Sequence, residues 1–78
     1  MPRILVVDDE PLISMLVENW LDELGCEVVG PARTVEDALA LADGQLDGAI
    51  LDVNLGGGNC YPLANALRAR GVPLAFAT

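Results

Sequence analysis

The 78-residue sequence is long enough for one small domain, which would bury roughly 60 to 65% of the surface its unfolded chain exposes. Hydrophobic residues make up 53% of it and mean hydropathy is +0.42, which excludes a disordered segment and leaves more apolar surface than so short a chain readily hides. Twelve acidic residues face four basic ones, all arginine, and the net charge of −8 argues against phosphate backbones or anionic lipid as direct ligands.

Met1-Pro2-Arg3 leads straight into Ile4-Leu5-Val6-Val7, a β-branched apolar run bounded by acids that suits a strand buried on both faces. There is no small-residue cleavage site of a signal peptide and no apolar stretch of transmembrane length, so a cytoplasmic location is expected. After Asp8-Asp9-Glu10, Pro11 opens a helix on which Leu12, Ile13, Leu16, Val17, Trp20, Leu21 and Leu24 recur at helical spacing before Gly25. Cys26 to Gly30 reads as a second strand. Thr34-Val35-Glu36-Asp37 resembles a capping box opening a second helix, with Val35, Ala38, Leu39 and Ala42 inward and Asp43-Gly44 as its stop. A third strand is expected from Gly48 to Val53 and a loop from Asn54 to Asn59. A third helix should run from near Pro62 to Gly71, and a fourth strand from Val72 to Thr78.

Strands alternating with helices of about three turns imply an α/β fold, a doubly wound parallel sheet with right-handed crossovers and helices on both faces. Ending on its newest strand, such a sheet would leave an edge open and part of one face uncovered. Self-association, or a longer parent chain, is the expected consequence. Cys26 and Cys60 lack zinc-site spacing and fall at opposite ends of the sheet in this topology, too far apart for a disulfide. They are expected to pack as small apolar residues.

In open parallel sheets ligands bind beyond the carboxyl ends of the strands, where Asp8, Asp9, Asp52 and Thr78 would converge. Two unit charges about 4 Å apart repel by ~4 kcal/mol at an effective dielectric of 20, so several ionised carboxylates in one crevice call for a cation. All-oxygen donors suit magnesium, which keeps waters and bridges carboxylates to phosphate oxygens. An ionised aspartate can attack phosphorus to give an acyl phosphate, and Asp52, centred among the acids, fits that role. Each piece has a plainer reading: Asp8 and Asp9 as solvated strand-end acids or an N-cap, Thr78 as an ordinary strand residue, and Gly56-Gly57-Gly58 as a flexible turn. The glycines lack the spaced Gly, Lys and Ser/Thr of a P-loop.

Ile4-Leu5-Val6-Val7-Asp8-Asp9-Glu10, Ala49-Ile50-Leu51-Asp52-Val53-Asn54-Leu55 and Ala75-Phe76-Ala77-Thr78, in this order and spacing, resemble the response-regulator receiver domain along the whole chain. The resemblance implies a flavodoxin-like sheet of strand order 2-1-3-4-5, here without the fifth strand and the last two helices, as a single domain over residues 1–78. It also implies magnesium held by Asp9, Asp52 and the backbone carbonyl of Asn54, with Asp8 acting largely through water. Asp52 would be the phosphoacceptor and Thr78 the switch hydroxyl that contacts the phosphoryl group. The donor would be a phosphohistidine on a sensor histidine kinase or histidine phosphotransfer protein. By the same resemblance the domain is no enzyme but a signalling receiver that takes part in its own phosphorylation.

Two departures from the family pattern stand out. Three glycines follow Leu55 where the family usually has proline, and the family's lysine has no counterpart in a chain without lysine. Two other functions compete. A haloacid-dehalogenase-like phosphohydrolase shares the aspartate nucleophile but needs a second aspartate two residues on, where this chain has Asn54, which cannot relay a proton. An inert docking fragment would keep the acids without a working switch.

Overall fold

A computed structural model describes residues 1–52, 54–55 and 58–77, with 54–55 and 58–59 described by backbone alone. In chain order the elements are β1 (Arg3–Val7), α1 (Pro11–Glu23), β2 (Glu27–Ala32), α2 (Val35–Leu41), β3 (Gly48–Asp52), β4 (Asn54–Leu55), β5 (Gly58–Asn59), α3 (Tyr61–Ala69) and β6 (Leu74–Ala77). Four strands pair in parallel in the order β2-β1-β3-β6, and β4 and β5 form a separate antiparallel pair.

Side-chain alternation along β1 and β3 divides the interior into two layers. Leu5, Val7, Ala49 and Leu51 face α2 and α3, whose Ala38, Ala42, Leu63 and Leu67 complete the larger core. Val6 faces the other way, onto Val17 and Leu21 of α1, with Ile4, Val28 and Ile50 half-buried around them. Pro11 opens α1 where its missing N–H costs nothing. Gly25, at φ +78°, ends the turn beyond Leu24 in the left-handed region that favours glycine. Thr34 caps α2 by accepting the Asp37 N–H at 3.1 Å, as the box pattern predicts. Arg3 ties the sheet's lower edge together by donating to Glu27 at 2.9 Å and to the Gln45 carbonyl at 3.0 Å. Arg70 of the α3 C-cap donates to the carbonyls of Ala42 and Gly44 at the end of α2.

The structure corrects several boundaries and one face. The second strand begins at Glu27 and runs through Gly30 and Pro31 to Ala32, with a register break opposite Leu5 to Val7; Pro31 is accommodated because β2 is an edge strand with a bulge. The second helix ends at Leu41, before Asp43, and α3 runs from Tyr61 to Ala69. The expected loop contains the β4–β5 pairing, Asn54 with Asn59 and Leu55 with Gly58. The last strand spans Leu74 to Ala77; Thr78 lies outside the described residues, as does Val53. Leu39 is exposed rather than inward, because the close approach of α2 is made through the small side chains of Ala38 and Ala42. Of the seven apolar positions expected on the first helix only Val17 and Leu21 are buried. Leu12, Ile13, Leu16, Trp20 and Leu24 remain exposed because α1 turns one face, through Val17 and Leu21, onto Val6 and the half-buried Ile4, Val28 and Ile50. Cys26 is half-buried, Cys60 is buried, and both are free thiols.

Beside α1, an open groove of about 310 Å³ runs along Ile4, Leu21, Ala49, Ile50 and Leu74, starting at Asp47, Gly48 and Pro73 where β3 and β6 begin. It is apolar and lies away from the strand ends that carry the acids. Covering such surface is worth about 2.5 kcal/mol for each 100 Å². Light scattering across a dilution series is therefore expected to show the 78-residue chain associating at high concentration and dissociating on dilution. A mass equal to the monomer at every concentration would show that this face is stable in water.

Candidate functional site

The parallel register of β1 and β3 sets Val7 beside Leu51 and so brings the residues that follow, Asp8 and Asp52, side by side at the carboxyl end of the sheet. Asp9 joins them, and one carboxylate oxygen from each of Asp8, Asp9 and Asp52 lies within 4.8 Å of the others. Asp8 is buried, whereas Asp9 and Asp52 are half-buried and reachable from solvent.

Backbone groups hold Asp8 on both sides. Its amide donates to the Ala32 carbonyl at 2.9 Å, and its carboxylate accepts the Glu10 N–H at 2.8 Å. Burial raises the Asp8 pKa above the ordinary 3.8, opposed by the Glu10 N–H; the Asp52 charge, a side-chain hydrogen bond with Asp52 and the Asp9 charge raise it further. A protonated Asp8 shared with Asp52 is one way to relieve the crowding, and a cation is the other. The donor set is made of hard oxygens without nitrogen or sulfur, which fits magnesium or a similar ion and not a thiolate-seeking metal.

Of the residues expected at the site, three are therefore brought together. Asn54 follows two residues after Asp52 and its backbone pairs with Asn59, but its side chain is outside the description; Thr78 lies outside the described residues altogether. The plainer reading of Asp8 and Asp9 as an N-cap does not hold, since the N-cap of α1 is Glu10 and makes no side-chain capping bond. Sequence reasoning missed the Ala32 carbonyl and the Glu10 amide as supports of Asp8. The Glu10 contact has a local signal, an aspartate accepting from the amide two residues on; the Ala32 contact depends on the β2 bulge and has none. It also missed Ser14, buried on the first turn of α1 with its hydroxyl donating to the Pro11 carbonyl at 3.1 Å.

Comparison with known proteins points the same way as the geometry. The phyllosphere-induced regulator PhyR of Methylorubrum extorquens is 37% identical over 97% of this chain, which spans 30% of that protein. The virulence sensor protein BvgS of Bordetella bronchiseptica is 46% identical over 86% of the chain, which spans 5% of it. The chain thus corresponds to less than a third of these relatives. Among solved structures, SdrG from Sphingomonas melonis superposes with a TM-score of 0.91 at 50% identity, covering 100% of this chain and 68% of that one. The response regulator TrrA of Thermotoga maritima, in complex with Mg²⁺ and beryllofluoride, superposes with a TM-score of 0.80 at 36% identity, covering 97% of this chain and 66% of that one. The response regulator receiver domain profile matches residues 4–78, and with these likenesses it establishes that the chain belongs to the receiver-domain family of two-component signalling.

Proposed function

We propose that this chain is the phosphoacceptor of a two-component phosphorelay and takes a phosphoryl group on Asp52. The observation that carries the reading is the convergence of Asp8, Asp9 and Asp52 within 4.8 Å at the ends of two adjacent parallel strands. Asp52 is the acceptor because it closes the central strand β3 and is reachable from solvent, whereas Asp8 is buried and committed to the Glu10 amide. Asp9, Asp52 and the Asn54 carbonyl would hold magnesium, with Asp8 acting through water, and the ion would supply charge neutralisation for the phosphoryl oxygens. In the transfer, an Asp52 carboxylate oxygen bonds to phosphorus as the bond from phosphorus to a donor histidine nitrogen breaks. The electron pair stays on the imidazole, which takes up a proton. With a small acyl phosphate the carboxylate leaves with the pair instead.

A sensor histidine kinase or a histidine phosphotransfer protein is the donor in this reading, which accords with a likeness to a sensor protein as well as to regulators. Thr78 is the switch hydroxyl that contacts the phosphoryl group. Residues 1–78 are in this reading the N-terminal portion of a receiver domain, acting in the cytoplasm as a signalling receiver rather than as an enzyme with turnover of its own. No helix among the described residues is long and apolar enough to cross a membrane. Asn54 in place of a second aspartate disfavours the phosphohydrolase reading.

Incubated with magnesium and acetyl phosphate, the chain should gain one phosphate by intact mass, and Asp52→Asn should gain none. A full adduct on the variant would move the nucleophile elsewhere, and no adduct on either would favour the inert docking fragment. Magnesium affinity by calorimetry should fall on the order of 100-fold in Asp9→Ala and about tenfold in Asp8→Ala, since a direct ligand outweighs a water-mediated contact. The reverse order would refute the assigned coordination.

The folded-state pKa of Asp8 is raised, so between the ordinary 3.8 and that raised value the folded chain binds more protons than the unfolded one. Stability contributed at Asp8 is therefore present below that window and lost as pH rises through it. In metal-free buffer Asp8→Asn, which keeps an acceptor for Glu10, should be more stable than the parent at neutral pH. The gain should vanish on acidification below the window. Urea midpoints at several pH values check this, and a parent as stable as the variant at neutral pH would contradict it.

A further inference from the structure

Two residues of β2, Gly30 and Pro31, stand opposite the single residue Val6 of β1, because Leu5 pairs with Val29 and Val7 with Ala32. Gly30 turns this corner at φ +104°, a conformation that side chains rarely adopt. Space is as short as conformation: a Cβ on Gly30 would lie 2.8 Å from the Ala32 nitrogen and 3.0 Å from the Val6 carbonyl oxygen. Both atoms are backbone, so no change of rotamer relieves the contact and a strand must move. β1 is held on its far side by β3, with Val6 beside Ile50, and Val6 is packed on Val17 and Leu21. β2 is the outer strand of the sheet and, among the described residues, has no strand beyond it. The displacement therefore falls on Ala32, whose carbonyl accepts the Asp8 amide at 2.9 Å.

We propose that Gly30 is a positioning residue of the acid site: by letting Ala32 reach the Asp8 amide it holds the Asp8 carboxylate in place beside Asp9 and Asp52, and so sets how strongly the three take magnesium; this rests on the reading of Asp52 as phosphoacceptor with a metal beside it. Asp8 is fixed by two backbone groups, the Ala32 carbonyl on its amide and the Glu10 amide on its carboxylate at 2.8 Å. The Ala32 bond ties Asp8 to another strand. The Glu10 contact spans two residues of the same segment and travels with it, so it cannot restore the place of Asp8 relative to Asp52 once the first is loosened. Supports of this kind, behind the groups that meet the ion, tune metal affinity without touching the metal.

The test measures magnesium affinity by calorimetry in the parent chain, Gly30→Ala, Asp8→Ala and the double variant. Val29→Ala is the control, since it removes buried volume from the same strand and leaves the backbone path alone. Gly30→Ala is expected to weaken magnesium about three- to tenfold, and to add less than about twofold to the loss in Asp8→Ala because its effect passes through Asp8. Val29→Ala should bind as the parent does under conditions where circular dichroism shows both folded. In metal-free buffer, hydrogen exchange should show the Asp8 amide of Gly30→Ala losing protection by about tenfold more than the Ala49 amide, which is bonded to the Pro73 carbonyl across the sheet. An unchanged affinity in Gly30→Ala, full additivity with Asp8→Ala, an equal loss in Val29→Ala or an equal loss of protection at Ala49 would mean that Gly30 serves stability alone and would overturn the proposal. Should Gly30→Ala not fold, a synthetic chain with the Asp8 amide replaced by an ester removes the same donor without adding a Cβ. Weakened magnesium binding there supports the link, and binding equal to the parent's overturns it. A parent chain that binds magnesium yet takes no phosphate from acetyl phosphate would overturn the phosphoacceptor reading instead, and the affinity comparison would still decide the place of Gly30.

Discussion

Three carboxylates whose oxygens lie within 4.8 Å of one another are a standing electrostatic cost, and the surrounding structure is arranged around it. Like charges at such separations oppose folding unless water, a proton or a cation intervenes, and Asp8, raised first by its burial and then by its neighbours, carries that cost. The residues cannot drift apart to escape it, because Asp8 and Asp52 follow directly on Val7 and Leu51, neighbours in the sheet that are almost wholly shielded from solvent. Protonation, towards which Asp8 is already pushed, relieves the crowding, and so does an ion. Fold and site are therefore coupled: whatever neutralises the acids also stabilises the sheet beneath them.

The edge strand β2 has a specific part in this. Gly30 adopts φ +104°, a conformation open to glycine, and a Cβ there would meet the Ala32 amide nitrogen at 2.8 Å and the Val6 carbonyl at 3.0 Å. The bulge at this position lets Ala32 regain its pairing with Val7 and carry the strand one residue further, to the Asp8 amide. An edge strand thereby fixes the backbone of a residue whose side chain belongs to the site. Substituting Gly30 would act on Asp8 through Ala32 without touching a carboxylate.

Most of the architecture was legible from the chain because strong local signals agreed. The acid-bounded apolar runs became β1 and β3, the Thr34 cap opened α2, and the strand and helix alternation became the parallel sheet. The convergence of Asp8, Asp9 and Asp52 was legible for the same reason, since it follows from strand ends in a parallel sheet. What escaped depended on long-range contact. Gly30-Pro31 reads as a breaker along the chain but is tolerated where β2 lacks an outer neighbour. Helical periodicity in α1 could not tell which apolar residues would find cover, so Leu12 and Trp20 were counted with Val17 and Leu21. The β4–β5 pairing did have a signal in the sequence, a Gly-Gly pair between short segments, outweighed by reading the glycine run as a loop.

The two layers flanking the sheet differ in a way that bears on the site. On the α2 and α3 side, small residues at Ala38, Ala42, Ala49 and Ala64 let helices and strands approach closely, and Leu5, Leu51, Leu63 and Leu67 fill that layer with almost no exposure. On the α1 side Ile4, Val28 and Ile50 are only half-covered and the groove beside Leu21 is open. β1 and β3 are common to both layers, so the close-packed side sets their relative position whatever happens on the open one. A partner or a further segment could cover the α1 face without moving the strand ends that carry Asp8, Asp9 and Asp52. Conversely, a change of charge among the acids acts on strand ends whose supporting layer, with Leu51 wholly buried, is close-packed.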